Sequence, residues 1–401
     1  MKKPIMSILF IVLFYIFALG AAPSATEANV VILHSSNVYG NLVPYNYFTD
    51  TFEAKGLISI YSYVQKLQST NKNLVLVDTG NLTYGSPFGD YYIDKVDNPV
   101  MTLFNQIGYD VFVPGTFELS LAQDHFENLI GKFKGYTLAG NIKGLKNAKV
   151  YTYYTKVLPN GLKVATIGVT PNYGNLTFDD QVKAIKEKLT KLKEEVKPDI
   201  IILATSGGIT KDPITGNKLA LESDLNIGDR LVKEFAKDVD VFLFGNEAIV
   251  YTGTKDKKAY SIPGAAGSSI NEINIRLSKT SSKWTISDIN IKNVDMASVE
   301  VSQPILSWAE QYEAQVENWL NERILDSVIT VGFHKYMAIL EDNLITEIVN
   351  KSIIDYTKAS AGIWNVFNPN YSGLTEGVVT RKDIYKMVGK TTTVKLVQMT
   401  G

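Results

Sequence analysis

Five segments of the 401-residue chain share one pattern, a short apolar run followed by a polar loop that contains glycine. The first reads Val-Val-Ile-Leu-His-Ser-Ser-Asn-Val-Tyr-Gly-Asn, and its apolar half is rich in β-branched residues. Such runs are typical of buried strands. In open α/β sheets, ligands bind at the edge where the carboxyl ends of the strands meet. The pattern therefore predicts one site built from the loops of residues 30–41, 74–87, 109–120, 199–209 and 240–253.

The segments between and after these strands indicate the fold class. After Gly245 the apolar spacing changes to a period of two, and residues 270–277 and 284–294 alternate as half-buried antiparallel strands do. The chain is therefore predicted to form an α/β fold with two packed sheets and outer helices. Helical spacing of apolar residues occurs at residues 56–68, 98–107, 122–132 and 180–195.

Composition excludes several classes of function. Lys and Arg (40) nearly balance Asp and Glu (41), so no net field favours nucleic acid or an anionic membrane surface. The chain has no cysteine, which excludes disulfides, thiolate metal sites and thiol nucleophiles. Only three histidines are present, which limits imidazole chemistry.

Residues 1–22 are predicted to be a secretory signal peptide. Lys2 and Lys3 precede an apolar run at 5–19, and small residues at 18–22 suit cleavage. The mature chain is therefore expected in the periplasm or outside the cell. An uncleaved N-terminal anchor is the alternative, and membrane contact is expected only in that case.

Pattern changes divide the remainder into three parts. Residues 29–299 contain the five strand–loop segments, and residues 300–328 form a linker, with one long amphipathic helix predicted over 304–324. Residues 329–401 form a second α/β domain, with helices expected at 344–357 and 381–388. This domain is expected to be partial and to leave an unpaired sheet edge. A longer natural chain and completion by another chain are the two alternatives.

Short motifs extend this framework. They are Gly-Asn-Leu-Val-Pro-Tyr at 40–45, Gly-Ser-Pro at 85–87, Pro-Gly and Gly-Ser at 263–268, Arg-Lys-Asp-Ile-Tyr at 381–385 and Met-Thr-Gly at 399–401. Through these motifs the chain resembles the calcineurin-like metallophosphoesterase fold, and more narrowly the secreted 2′,3′-cyclic-nucleotide 2′-phosphodiesterases and 5′-nucleotidases. The resemblance implies a four-layer α/β/β/α sandwich, a long linker helix and a partial α/β domain of the 5′-nucleotidase C-terminal type.

The family signatures in the five loops are altered. The resemblance implies Asp-x-His, Gly-Asp, Gly-Asn-His-Glu, a His before Ser-Gly, and Gly-His-x-His, in that order. Phe117 stands where the family has its catalytic histidine, and Glu118, which would orient that histidine, is retained. The family's metal-ligand positions hold Asn37, Tyr39, Asn81, Thr116, Thr205, Asn246 and Ala248.

These replacements predict that the site holds no metal cofactor and no catalytic residue. The family uses two divalent metals, which clamp a phosphate and activate a water. Hard divalent ions require carboxylates and imidazoles, whereas amides and hydroxyls bring no charge to offset dehydration. A single cation held by Asp78, Glu118 and Glu247 is an alternative. His34, inside the first strand, is expected to be structural.

Three functions follow from this interpretation. The first is a catalytically degenerate pseudoenzyme that keeps the scaffold for a binding or cell-envelope role, with a protein partner. The second is an active nucleotide phosphohydrolase with a non-standard metal site. The third is a non-catalytic nucleotide- or phosphate-binding protein, whose backbone amides in residues 80–85 and 206–208 would hold an anion.

Overall fold

The structure is a computed structural model that describes residues 26–281, 283–334, 336, 340–364, 371–389, 394 and 396–399. The predicted signal peptide, residues 1–22, lies outside the described residues. Among the helices that the structure describes, none combines the length and the apolar character that a membrane span requires.

The strands of the described residues are numbered in chain order. They are β1 (Glu27–Ser35), β2 (Tyr45–Asn46), β3 (Thr51–Phe52), β4 (Leu74–Asp78), β5 (Val111–Phe112), β6 (Tyr136–Thr137), β7 (Ile142–Lys143), β8 (Tyr153–Val157), β9 (Lys163–Val169), β10 (Thr177–Phe178), β11 (Ile200–Thr205), β12 (Val241–Phe244), β13 (Val250–Lys255), β14 (Lys258–Pro263), β15 (Ser269–Thr280), β16 (Lys283–Asp295), β17 (Arg323–Ser327), β18 (Val331–Gly332), β19 (Gly373–Leu374) and β20 (Gly377–Thr380).

The α-helices are numbered in the same way. They are α1 (Gly56–Thr70), α2 (Pro87–Tyr92), α3 (Pro99–Ile107), α4 (Thr116–Leu119), α5 (Gln123–Gly131), α6 (Gln181–Lys191), α7 (Gly228–Phe235), α8 (Gln303–Leu320), α9 (Leu344–Thr357) and α10 (Arg381–Val388). Local sequence sets several of their ends. In α3, Asn98 caps the N-terminus by accepting from the Met101 amide, and Gly108 ends the helix at φ +86°.

Two six-stranded sheets carry the first domain. The first has the order β16-β15-β1-β4-β5-β6, and the second has the order β13-β14-β12-β11-β9-β8. β1 runs parallel to β4 and antiparallel to β15, while β11 runs parallel to both β9 and β12. The long antiparallel pair β15 and β16 confirms the strands predicted from the period-two pattern.

Three apolar cores show that the domain has four layers. Alternate residues of β1 serve different cores, because successive side chains of a strand point to opposite faces. Val31 and Leu33 pack with the helices on the outer side of the first sheet, and Val30 and Ile32 pack between the sheets. A third core covers the outer side of the second sheet with helices α6 and α7. The predicted α/β/β/α sandwich is confirmed.

The linker helix is α8, but it is shorter than predicted. It ends at Leu320, and residues 323–327 form β17 instead of a last helical turn. β17 pairs antiparallel with β20, and the Arg381 amide donates to the Glu322 carbonyl at 3.0 Å. Pairing with a distant strand therefore overrides the amphipathic helical pattern of residues 321–324, where the prediction was wrong.

The C-terminal unit has a small core of its own and is docked on the first domain. Its core contains buried side chains from β18 to α10. Lys382 of α10 forms ion pairs with Asp50 at 2.5 Å and with Glu317 at 3.5 Å. Tyr385 donates a hydrogen bond to Asp90 at 2.9 Å. The members of the core are Phe333, Ile345, Val349, Leu374, Val379 and Met387.

Candidate functional site

The structure brings the loops that follow β1, β4, β5, β11 and β12 together at the strand ends. The Asn37 side chain donates to the Glu247 carbonyl at 2.8 Å, which joins the first loop to the fifth. The Ser206 hydroxyl donates to the Pro114 carbonyl at 2.6 Å, which joins the fourth loop to the third. Gly245 lies so close to the second loop that a Cβ atom there would be 2.3 Å from the Thr79 carbonyl oxygen.

Two buried asparagines form the centre of this site. The Asn81 Nδ2 group donates to Asn37 Oδ1 at 2.9 Å. Asn81 Oδ1 in turn accepts from the Phe117 amide at 2.9 Å and from the Thr116 hydroxyl at 3.3 Å. Four of the sequence-predicted positions are thus in one hydrogen-bond network, in which the amide oxygens already face donors of the protein itself.

The Glu118 side chain holds the second loop in place by hydrogen bonds. Its side chain is fully buried and accepts five hydrogen bonds. Oε1 accepts from the Leu82 amide, the Thr83 amide and the Thr83 hydroxyl at 2.8–3.1 Å. Oε2 accepts from the Asn81 and Gly115 amides at 2.9 Å. The carboxylate therefore acts as an internal anion that fixes two loops.

Asp78, at the end of β4, is a second fully buried carboxyl group. It accepts from the Ser35 hydroxyl at 2.6 Å and from the Gly80 amide at 2.8 Å. Burial raises the pKa of Asp78 to about 8, although both hydrogen bonds favour the charged form. The Ser35 oxygen also lies 2.7 Å from the Tyr109 hydroxyl.

Three half-buried aromatic rings line the site. The Phe117 ring lies 5.2 Å from the Tyr39 ring and 5.1 Å from the Tyr84 ring, measured between centroids. It packs on Gly85, where a Cβ atom would be 2.5 Å from Phe117 Cε2. Burial raises the pKa of Tyr39 to about 12, and the neighbouring carboxylates of Glu118 and Glu247 add to that shift.

The remaining predicted positions contribute less. Thr205 is fully buried, and its hydroxyl accepts from the Gly207 amide at 3.1 Å. Asn246 is half-buried, and Ala248 is exposed. These residues stabilise or border the loops.

Backbone conformation explains why asparagine occurs three times, which the sequence analysis missed. Asn37, Asn81 and Asn246 have φ values of 55°, 54° and 62°, in the left-handed region. Among residues other than glycine, asparagine adopts this conformation most readily. The neighbouring glycine in Gly80-Asn81 and Gly245-Asn246 is the sequence signal that could have indicated such turns. Tyr39, at φ 55°, shares the conformation.

The backbone amides predicted to hold an anion are already engaged. In residues 80–83, four amides donate to the carboxylates of Asp78 and Glu118. The Gly85 amide donates to Asp90 at 3.0 Å, and the Gly208 amide donates to the Leu225 carbonyl at 3.2 Å. The predicted mode of anion binding is therefore wrong for these amides, because the protein's own oxygens occupy them.

The expectation for His34 is confirmed. It is fully buried, with Nδ1 2.8 Å from the Ser261 hydroxyl and Nε2 2.8 Å from the Thr79 hydroxyl. Burial lowers the pKa of His34 to about 3, so the ring is neutral at physiological pH. Because Ser261 lies in β14, the histidine links the two sheets.

Comparison with known proteins gives distant relatives of one kind. The chain is 25% identical over 308 residues to the 2',3'-cyclic-nucleotide 2'-phosphodiesterase/3'-nucleotidase of Salmonella typhimurium, over 67% of this chain and 46% of the relative. It is 24% identical over 308 residues to a trifunctional nucleotide phosphoesterase of Bacillus subtilis, over 66% of this chain and 20% of the relative. The chain therefore spans about half or less of these relatives. No protein-family model matches the chain.

Solved structures show the same fold. A structure assigned as a 5'-nucleotidase from Staphylococcus aureus, in complex with alpha-ketoglutarate, aligns with a TM-score of 0.75 and 19% identity, over 90% of this chain and 72% of that chain. A calcineurin-like phosphoesterase of Bacillus subtilis aligns with a TM-score of 0.61 and 20% identity, over 74% of this chain and 100% of that chain.

The chain thus has the fold of the calcineurin-like phosphoesterases. In sequence it is a distant relative of 5'-nucleotidases and 2',3'-cyclic-nucleotide 2'-phosphodiesterases, as the sequence predicted.

Proposed function

We propose that this protein is a secreted, catalytically degenerate relative of the nucleotidases, which keeps the phosphoesterase scaffold for binding in the cell envelope. The family resemblance implies hydrolysis by two divalent metals. The proposal is that this chain binds a small organic molecule or a protein at its surface and hydrolyses no phosphate ester.

The observation that carries the proposal is the donor set at the strand ends. Its oxygens belong to carboxamides, hydroxyls and a phenol, and these residue types bring no charge. The carboxamide oxygens of Asn37 and Asn81 already accept hydrogen bonds from protein donors at 2.9–3.3 Å. A divalent cation would have to break these bonds and would gain no negatively charged ligand from these positions. This donor set does not fit a pair of divalent cations.

The nearby carboxyl groups do not restore the fit. Among the residues that the structure describes, no group of three or more His, Asp or Glu side chains is placed to hold a metal ion. Glu118 has all its hydrogen bonds within the protein, and Asp78 is tied to Ser35 and Gly80. A cation shared by Asp78, Glu118 and Glu247 is therefore not part of the proposal.

Electrostatics also disfavour a phosphate ester. Without metals, a phosphate at the strand ends would lie near Glu118 and Glu247, whose charges already raise the pKa of Tyr39. Like charges brought together at a low-dielectric site repel strongly. A neutral organic ligand is compatible with the half-buried rings of Tyr39, Tyr84 and Phe117. The Staphylococcus aureus structure holds alpha-ketoglutarate, an organic dianion, and so supports a small organic molecule as the ligand class but not its neutrality.

Turnover of phosphate esters tests the proposal. Purified protein is incubated with manganese, zinc or magnesium and with bis(4-nitrophenyl) phosphate, 2′,3′-cyclic AMP or AMP, beside the Salmonella typhimurium relative as positive control. The proposal predicts no rate above the no-protein control at any metal concentration. Turnover that requires added metal and disappears with EDTA would establish an active phosphohydrolase instead.

Secretion is tested separately. Residues 1–28 are fused to a reporter that is active only outside the cytoplasm, with Lys2 and Lys3 intact or replaced by Glu. The expected result is export of the first fusion, with cleavage near residue 22 shown by mass spectrometry. An inactive reporter retained in the cytoplasm would contradict this part of the proposal.

A further inference from the structure

The strand-end site combines aromatic rings with negative charge that no cation offsets. Tyr39, Tyr84 and Phe117 are all partly exposed, and the Phe117 ring contacts the other two. Burial raises the pKa of Tyr39 first of all, and the charges of Glu118 and Glu247 raise it further, so both carboxylates act on this ring. Among the residues that the structure describes, neither glutamate forms an ion pair. The site is therefore both aromatic and electronegative.

The loops themselves supply no positive charge. Residues 36–42, 79–87, 114–121, 205–210 and 245–249 contain no Lys, Arg or His. An anionic ligand at these loops would meet like charges and no countercharge. A cationic ligand gains from both features of the site, because carboxylates attract it and the face of an aromatic ring is the negative side of its quadrupole.

An unpaired amide oxygen adds to the negative potential at Glu247. Asn226 Oδ1 is buried and accepts no hydrogen bond from the residues that the structure describes. A Cβ atom at Gly208 would be 2.6 Å from Glu247 Oε1 and 2.7 Å from Asn226 Oδ1, so the two oxygens are close neighbours. The Asn226 NH₂ group donates to the Leu221 carbonyl at 2.9 Å, which fixes the orientation of the amide. Buried acceptors without donors are unfavourable, and this pair favours a ligand that brings positive charge and N–H donors to the carboxylate.

We propose that the strand-end site binds a small organic ammonium ion, with its nitrogen at the Glu247 carboxylate and its apolar part against the rings of Tyr39 and Phe117. This inference deepens the proposed function and rests on it. An ammonium group donates up to three hydrogen bonds and is held by a single carboxylate, whereas a divalent metal requires several charged ligands. Apolar and aromatic side chains with a few polar groups are the usual lining of small-molecule sites.

Three ligands of one shape and different charge test the inference. Benzylammonium, benzyl alcohol and benzoate share a phenyl ring and are cationic, neutral and anionic at neutral pH. Each is titrated into the full wild-type protein in metal-free buffer, and binding is followed by ligand-observed NMR. We expect benzylammonium to bind at least about tenfold more tightly than benzyl alcohol, because hydrogen bonds to charged groups are the stronger ones, and benzoate to bind least. Equal binding of the three, a preference for benzoate, or no saturable binding of benzylammonium would overturn the inference.

Two variants separate the contribution of the charge from that of the ring. Glu247→Gln keeps the shape of the side chain and removes its charge. It should weaken benzylammonium at least about tenfold and change the affinity for benzyl alcohol less than about twofold. Phe117→Leu should weaken both ligands, because it removes a ring face that either can contact.

The matched control is Glu310→Gln, which removes an exposed carboxylate of α8 and should change neither affinity. Circular dichroism establishes that each variant is folded before the affinities are compared. Wild-type affinity for benzylammonium in folded Glu247→Gln protein, or an equal loss in the control, would overturn the assignment of Glu247.

The failure of this inference differs from the failure of the proposed function. Metal-dependent turnover of phosphate esters would contradict the proposed function, whatever the amine binds. A preference for benzoate without any turnover would overturn the ammonium site alone and would leave a non-catalytic binding protein.

Discussion

The Glu118→Gln substitution tests whether the protein's own hydrogen bonds hold the strand-end loops. In either orientation of the new amide, its NH₂ group replaces an oxygen that accepts at least two hydrogen bonds. Donors then face donors in a fully buried position. Each hydrogen bond to a charged group contributes about 1.5–3 kcal/mol, so we expect a loss of about 3–6 kcal/mol in the stability of the loops.

Hydrogen exchange of the affected amides measures this loss locally. The amides of Asn81, Leu82, Thr83 and Gly115 donate to the carboxylate, and a loss of about 3 kcal/mol accelerates exchange through local opening about 100-fold. The matched control is Glu234→Gln, which removes a surface ion pair with Lys186 and should leave the exchange of these four amides unchanged. Unchanged exchange at the four amides, or an effect no larger than that of the control, would refute the reasoning.

Substitutions at three other positions test separate parts of the structure. Because burial raises the pKa of Asp78 to about 8, wild-type stability should fall between about pH 4 and 8, by up to about 1.4 kcal/mol per pH unit. Asp78→Asn should remove this slope. If the urea midpoints of the wild type and the variant change equally between pH 5 and pH 8, this prediction is contradicted. Asn246 has φ 62°, so Asn246→Gly should leave the free energy of unfolding nearly unchanged, whereas Asn246→Ala should lower it by about 1–2 kcal/mol. Equal effects of the two substitutions in urea denaturation would exclude a conformational role for Asn246. Tyr385→Phe removes the hydrogen bond to Asp90 and should weaken docking of the C-terminal unit by about 1.5–3 kcal/mol, which limited proteolysis after Leu320 reports; an unchanged cleavage rate would contradict this.

The layered fold was predictable because burial imposes simple periodicities. β1 and β4 are buried on both faces, so their sequences are almost continuously apolar, and β15 and β16 alternate because one face is exposed. The end of α8 was not predictable in the same way. Residues 321–324 have a helical pattern, and only pairing of β17 with β20, which is distant in the sequence, determines their conformation.

At the candidate site, the sequence indicated which loops meet but not how they are held together. The link between Asn37 and Asn81 and the five bonds to Glu118 depend on loop conformations that no local pattern specifies. The left-handed φ values of three asparagines are a property of each turn, and they became visible only in three dimensions. Residue types at family positions therefore indicated which side chains lie in the site, but not their conformation or their contacts.

The metal content of the purified protein tests the central claim most directly. Protein dialysed against manganese or zinc, and then against metal-free buffer, is analysed by inductively coupled plasma mass spectrometry. A variant in which the loops carry the family's ligand residues serves as the comparison. The account predicts less than about 0.1 metal ion per wild-type chain, because uncharged donors do not retain a divalent ion. Close to two ions retained by the wild-type chain would contradict it.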